Sequence, residues 1–234
     1  MPMVAVCDIL GFSNLVQKND LSFVVNDNLS YLRQALHHSI HHGDFPDDIP
    51  TLRDLLLHEN VGFAWFSDTL FFYGRDESDE ANRRIIETVG WLMFETMMLP
   101  QLRIRAGISY GAIHVDTENS IYVGPAIIDA HRLEKIQLWS GGALTESACE
   151  RISSDYHWVV SYDIPILTSN NSIETINTLA INWTFGIHSR GAFEIPWSRD
   201  SNEPTQEYID NHPDIVEKWR NTRQFHRDVC RYCS

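Results

Sequence analysis

The sequence predicts an α+β fold, and three observations point to it. A short apolar run, Met3 to Val6, rich in β-branched residues, reads as a buried strand whose end carries Asp8. Two aromatic-rich runs, Val61-Gly-Phe-Ala-Trp-Phe66 and Thr69-Leu-Phe-Phe-Tyr73, flank the polar pair Ser67-Asp68 and read as a hairpin. Asp76 to Leu99 then reads as a long helix: acids crowd its start, Ile85, Ile86, Val89, Leu92, Met93 and Met97 recur at helical spacing, and Pro100 stops it.

The remaining elements follow the same signals. Leu21 to Ile40 has Phe23, Val24, Leu29, Leu32 and Leu36 on one helical stripe, with His37, His38, His41 and His42 near its end. Histidines at i, i+4 suit a metal, but no H-E-x-x-H pattern accompanies them, and histidine near a helix C-terminus is favourable for the dipole alone. The prolines and acids of residues 43–50 make a loop, and Thr51 to His58 a short helix. Leu102 to Val115 reads as one strand interrupted by Gly107 and Gly111, with Arg103 and Arg105 alternating on one face. Gly124-Pro125 opens a helix in which Ile127, Ile128 and Leu133 are expected to face inward and Arg132 to project from a rigid element. Thr145 to Arg151 is a short helix, His157 to Ser161 a strand in a region ended by Pro165, residues 167–174 a loop, and Leu179 to Phe185 a strand. Residues 191–204 read as irregular, and Thr205 to Arg231 as partly helical, with Trp219 and Phe225 available for docking.

Composition limits the possible partners. A chain of 234 residues that is 43% hydrophobic can bury a sizeable core. Its formal net charge of −14 argues against a nucleic-acid or anionic-membrane binder, whose affinity rests on clustered Lys and Arg. The sequence has no apolar run of about 18 residues, so no transmembrane helix is expected. The N-terminus lacks the basic, apolar and small-residue segments of a secretory signal. A cytoplasmic, reduced location is therefore expected for Cys7, Cys149, Cys230 and Cys233. Cys230-Arg-Tyr-Cys233 has C-x-x-C spacing but no second pair, which fits a frayed tail better than a zinc site.

The chemistry gathers around two acids. Asp8 ends a buried strand, where ligands of open sheets bind, and Gly11 follows with a helix start behind it. A carboxylate beside backbone N–H groups that an anion can approach suits a divalent metal holding a polyphosphate; the alternative is a carboxylate that only caps the turn. Asp68 sits at the hairpin bend, where Asp is also common as a plain turn residue. Two such acids near a glycine turn are what a two-metal phosphoryl-transfer site needs, and Arg132 is the candidate to stabilise charge developing on the phosphoryl group.

Taken together, Cys7-Asp8-Ile9-Leu10-Gly11-Phe12-Ser13, Phe66-Ser67-Asp68-Thr69, Arg105-Ala-Gly-Ile-Ser-Tyr-Gly111 and Tyr122-Val-Gly-Pro-Ala-Ile-Ile-Asp-Ala-His-Arg-Leu-Glu134 resemble a class III nucleotide cyclase from about Val4 to Ser147. The resemblance implies a ferredoxin-like βαββαβ core over residues 1–150, with residues 151–234 adding strands and helices to the same domain. It implies two Mn2+ or Mg2+ ions on Asp8, Asp68 and the backbone of Ile9, a triphosphate cradled by the backbone from Ile9 through Gly11 and Phe12, and Arg132 supplied by the other subunit of a homodimer. Three positions depart from the purine-reading members of that family: Ala64 stands where they carry lysine, Ile121 where they carry Asp or Thr, and Ile128 where they carry asparagine. A short chain that keeps both acids but lacks the purine readers is similar to the pyrimidine cyclases of bacterial Pycsar antiphage systems. That implies conversion of UTP or CTP to the 3′,5′-cyclic monophosphate, which activates a separate cell-killing effector. A degenerate cyclase fold acting as a nucleotide sensor, and an adenylate cyclase with an unusual base pocket, are the alternatives.

Overall fold

In the computed structural model, residues 1–42, 48–56, 58–98, 102–189 and 213–230 are described. The strands are β1 (Met3–Ile9), β2 (Val61–Phe66), β3 (Thr69–Gly74), β4 (Ile104–Tyr110), β5 (His114–Asp116), β6 (Ile121–Val123), β7 (Gly142–Leu144), β8 (Val159–Leu167) and β9 (Ile173–Ile181). The helices are α1 (Phe12–Lys18), α2 (Leu21–Phe23), which runs through a π-helical stretch (Val24–Leu29) into α3 (Ser30–His41), then α4 (Leu52–Leu56), α5 (Asp79–Met97), α6 (Pro125–Ile136), α7 (Glu146–Cys149), α8 (Thr184–Ser189) and α9 (Pro213–Cys230). Seven strands form one sheet in the order β2-β3-β1-β4-β7-β9-β8, and β5-β6 is a separate ribbon. The first four strands in that order are each antiparallel to their neighbours and lie in the ferredoxin-like order, with β3 and β1 in the middle. None of the described helices is long and apolar enough to cross a membrane.

Alternation along β1 assigns its two faces. Met3, Ala5, Cys7 and Ile9 enter the main core with Leu32, Leu36 and Ile40 of α3 and the apolar stripe of α5. Val4 and Val6 point the other way, joining Phe71 and Tyr73 beneath Ala126 and Ala130 of α6. Asp8 continues that second row at its end. α5 starts at Asp79 rather than Asp76 because the Ser78 hydroxyl accepts the Ala81 N–H at 3.1 Å and caps the helix there.

Several expected boundaries differ. The run Leu102 to Val115 is two strands, β4 and β5, broken at residues 111–113. β8 continues through Pro165 instead of ending there; it is the outermost strand, where a missing N–H is tolerated. β9 begins at Ile173, inside the expected loop, and ends at Ile181, so residues 184–185 begin α8 rather than finish a strand. Ile128 does not face inward: it is 52% exposed, and the buried row of α6 is Ala126, Ala130 and Leu133. Residues 43–47, 191–204 and Cys233 lie outside the described residues.

That row of alanines has a physical reason. α6 lies so close on β4 that a Cβ on Gly107 would sit 1.9 Å from the Ala130 carbonyl oxygen and 2.7 Å from the Glu134 nitrogen. Gly107→Ala is therefore expected to push α6 off the sheet and cost about 1–3 kcal/mol of stability in urea unfolding, with the loss of any activity that depends on α6. Wild-type stability in that variant would contradict the close helix–strand packing.

Candidate functional site

The backbones of Asp8 and Asp68 lie near each other at one end of the sheet. Asp8 is opposite Thr69 in the β1–β3 register, so Asp68 is one residue beyond, in the β2–β3 turn. The Ile9 N–H donates to the Asp68 carbonyl at 2.9 Å and locks the turn to the end of β1. Ser67 takes a positive φ of 55° to make that turn. Gly11 follows β1 at φ 77°, a left-handed conformation that glycine adopts without strain, and immediately precedes α1. Phe12, the first residue of α1, is half-buried against the main core.

Two cations stand on Asp8. Arg105 is its cross-strand partner on β4 and places Nη2 3.6 Å from Oδ2. Lys135 of α6 places Nζ 3.6 Å from Oδ1. Arg105 is buried and held rigidly: Nε and Nη2 donate to Glu134 Oε1 at 2.6 and 2.5 Å, and Nη1 donates to the Gln137 carbonyl at 2.9 Å. Glu134 is itself fully buried; burial raises its pKa, the Arg105 charge opposes that shift, and Asp8 adds to it. Gln137 extends the network, donating to the Ala106 and Leu133 carbonyls at 2.8 and 3.0 Å and accepting from Trp139 Nε1 at 2.6 Å. Arg103 does not join this group: it caps the far end of α5 by donating to the Thr96 carbonyl at 3.0 Å, and burial lowers its pKa to about 10.

The other site positions are spread along the α6 side of the sheet. Arg132 is 76% exposed and pairs with Asp129 at 3.6 Å, one turn back on the same helix. Ala64 is half-buried on β2 against the second cluster. Ile121 and Ile128 are exposed on β6 and α6. Phe66 shares the Ala64 face of β2 and is 85% exposed. Tyr122 on the ribbon covers β3 by packing on Phe71, with ring centroids 5.6 Å apart.

The donor set suits a hard divalent cation. Mg2+ is ordinarily held by one or two carboxylates, with water and substrate phosphate completing its shell, and Asp8 and Asp68 are the residues that could supply those carboxylates. Among the described residues, no three His, Cys, Asp or Glu side chains are arranged to hold a metal, and two of the histidines at the end of α3 have carboxylate partners. His38 pairs with buried Glu95 at 3.2 Å and His42 with Glu87 at 3.1 Å. His58 Nδ1 accepts the Asn60 and Val61 N–H groups, each at 3.1 Å, while burial and then His41 and Arg84 lower its pKa to about 4. Cys7 is sealed in the core, and burial raises its thiol pKa, which excludes it as a nucleophile.

No protein-family model matches the sequence, and no curated protein matches it. Solved structures match the fold. The catalytic core of a rhodopsin-guanylyl cyclase with converted specificity, in complex with ATPalphaS, aligns at TM-score 0.54 and 12% identity over 77% of this chain and 93% of that one. The fold is that of the class III nucleotide cyclase domain. The non-canonical dimeric guanylyl cyclase domain of the RhoGC fusion protein from the aquatic fungus Blastocladiella emersonii aligns at TM-score 0.53 and 14% identity, covering 77% and 95%. An adenylate/guanylate cyclase/hydrolase from Silicibacter pomeroyi aligns at TM-score 0.50 and 16% identity, covering 77% and 96%.

The Arg105–Glu134 pair is what the sequence left unseen. Alternating Arg103 and Arg105 hinted at a shared face, but the partner of Arg105 lies on α6 and its neighbour Asp8 on another strand. Replacing Arg105 with Met strands a buried carboxylate and is expected to cost about 3–5 kcal/mol in urea unfolding, whereas Arg105→Met with Glu134→Leu is expected to recover most of that loss. Equal stability of the single and double variants would contradict the assignment.

Proposed function

We propose that the chain is a metal-dependent pyrimidine nucleotide cyclase that converts UTP or CTP to the 3′,5′-cyclic monophosphate and pyrophosphate. One observation supports this reading: in a cyclase fold the backbone of Asp68, in the β2–β3 turn, lies beside the end of β1 that carries Asp8, through the Ile9 N–H to Asp68 carbonyl hydrogen bond. Asp8, Asp68 and the Ile9 backbone would hold two Mn2+ or Mg2+ ions, whose chemistry is to acidify the ribose 3′-hydroxyl and neutralise the triphosphate. Gly11 lets the backbone up to Phe12 approach the phosphates without a side chain in the way. The 3′-oxygen bonds to the α-phosphorus, the bond from that phosphorus to the bridging oxygen breaks, pyrophosphate departs, and the hydroxyl proton passes to solvent.

Arg132 completes the site from a second copy of the chain. Within its own chain it points to solvent and pairs only loosely with Asp129. Exposed Phe66, Ile121, Val123 and Ile128 on the α6 side favour a partner subunit on that face. Supplied in trans, the guanidinium stabilises charge on the α-phosphoryl group in the transition state.

Base choice rests on what Ala64, Ile121 and Ile128 lack. None of the three donates or accepts a side-chain hydrogen bond, so a purine edge would meet no polar reader there, while a smaller pyrimidine leaves room for apolar walls. The product then serves as a second messenger in antiphage defence and activates a separate effector that kills the infected cell.

The test is purified protein with Mn2+ and each ribonucleoside triphosphate, with products identified by mass spectrometry. Cyclic UMP or cyclic CMP is expected, and Asp8→Asn or Asp68→Asn is expected to lower turnover by at least about a hundredfold while the protein stays folded. A cyclic purine product alone would defeat the pyrimidine assignment, and tight nucleotide binding without turnover would make the chain a sensor.

A further inference from the structure

We infer that Lys135 is the counter-cation of Asp8 and weakens the hold of that carboxylate on a divalent ion until its ammonium group swings away. The inference rests on the reading of Asp8 as a metal ligand.

The two cations on Asp8 differ in freedom. Arg105 is buried and tied by its bonds to Glu134 and Gln137, so its charge stays beside Oδ2 whatever binds. Lys135 is half-exposed, and its only acidic neighbours are Asp8 and Glu134 among the ion pairs of the described residues, each at 3.6 Å. At that separation the ammonium acts as a point charge rather than as a hydrogen-bonded clamp, on a flexible four-carbon stem. It therefore occupies the approach to Oδ1 without being fixed there.

Glu134 gives the ammonium somewhere to go. Its Oε2 is buried and has no hydrogen-bond partner, while Oε1 is taken by Arg105. Lys135 already lies between the two acids, so a small rotation of its side chain moves it from Asp8 toward Glu134. Metal entry at Oδ1 then trades one cation for another on Asp8, whereas Arg105 cannot yield. A methionine at position 135 keeps the apolar stem and removes the competing charge.

The experiment titrates Mn2+ alone, without nucleotide, into the full chain and reads free Mn2+ by electron paramagnetic resonance. Lys135→Met is expected to bind Mn2+ about tenfold more tightly than wild type, the attraction of nearby charges being reduced by the half-exposure of the lysine. Lys135→Arg, which keeps the charge, is expected to stay within about twofold of wild type. In an Asp8→Asn background the Lys135→Met change is expected to have no effect, because the coupling runs through that carboxylate. Unchanged or weaker binding in Lys135→Met, or equal tightening with and without Asp8, would overturn the inference. Loss of binding in Asp8→Asn with no response to Lys135→Met sinks only the role of Lys135, whereas Asp8→Asn binding as well as wild type sinks the metal site and the inference together.

Discussion

The buried ion pair between Arg105 and Glu134 is the constraint on which the site depends. It joins a strand to a helix at the position where β4 passes Asp8. Breaking such a pair strands a charge in a low-dielectric interior, so the helix cannot slide along the sheet without a large cost. The same guanidinium is the permanent neighbour of the Asp8 carboxylate. One pair thus sets both the height of α6 above the sheet and the electrostatic surroundings of the first acid. Arg132 and Lys135, on the same helix, are carried to defined places by it.

The C-terminal elements support that arrangement from behind. β8 and β9 extend the sheet beyond β7, and Leu138 donates its N–H to the Pro165 carbonyl at 2.9 Å. Phe225 of α9 is fully buried against Trp139 and Tyr162, with ring centroids 4.8 and 4.9 Å away. Thr222 accepts the Ser140 N–H at 2.8 Å, and Asn221 donates to the Leu138 carbonyl at 2.7 Å. These contacts clamp residues 138–140, the segment that leaves α6 just after Gln137. Residues far from the acids in sequence therefore hold the exit of the helix that bears the arginine.

Local signals made much of this visible and non-local ones did not. An apolar run ending in Asp8, and a polar pair between aromatic runs, mark both acids because strands and tight turns leave short-range patterns. The neighbouring of Asp8 and Arg105 is a matter of register between strands nearly a hundred residues apart, which no local pattern encodes. The hydrophobic size of Ile128 suggests burial, whereas the close approach of α6 to Gly107 and Gly111 puts the small side chains of Ala130 and Ala126 against the sheet instead. The run Leu102 to Val115 looks like one strand because β-forming residues continue past the break at Gly111. The C-x-x-C reading rests on Cys233, outside the described residues. Phe225, expected to dock, is buried as its size demands, but its aromatic partners Trp139, Tyr162 and Trp183 come from three separate segments of the chain.

The account makes one structural demand above all: acids from one chain and the arginine from another must form each site. Mixing Asp68→Asn protein with Arg132→Ala protein, each inactive alone, measures this directly. If the site is shared, subunit exchange restores about a quarter of the wild-type rate, because random pairing makes half the dimers mixed and each mixed dimer has one intact site of two. A mixture as inactive as its components, with exchange of subunits verified, would contradict a site assembled across the interface.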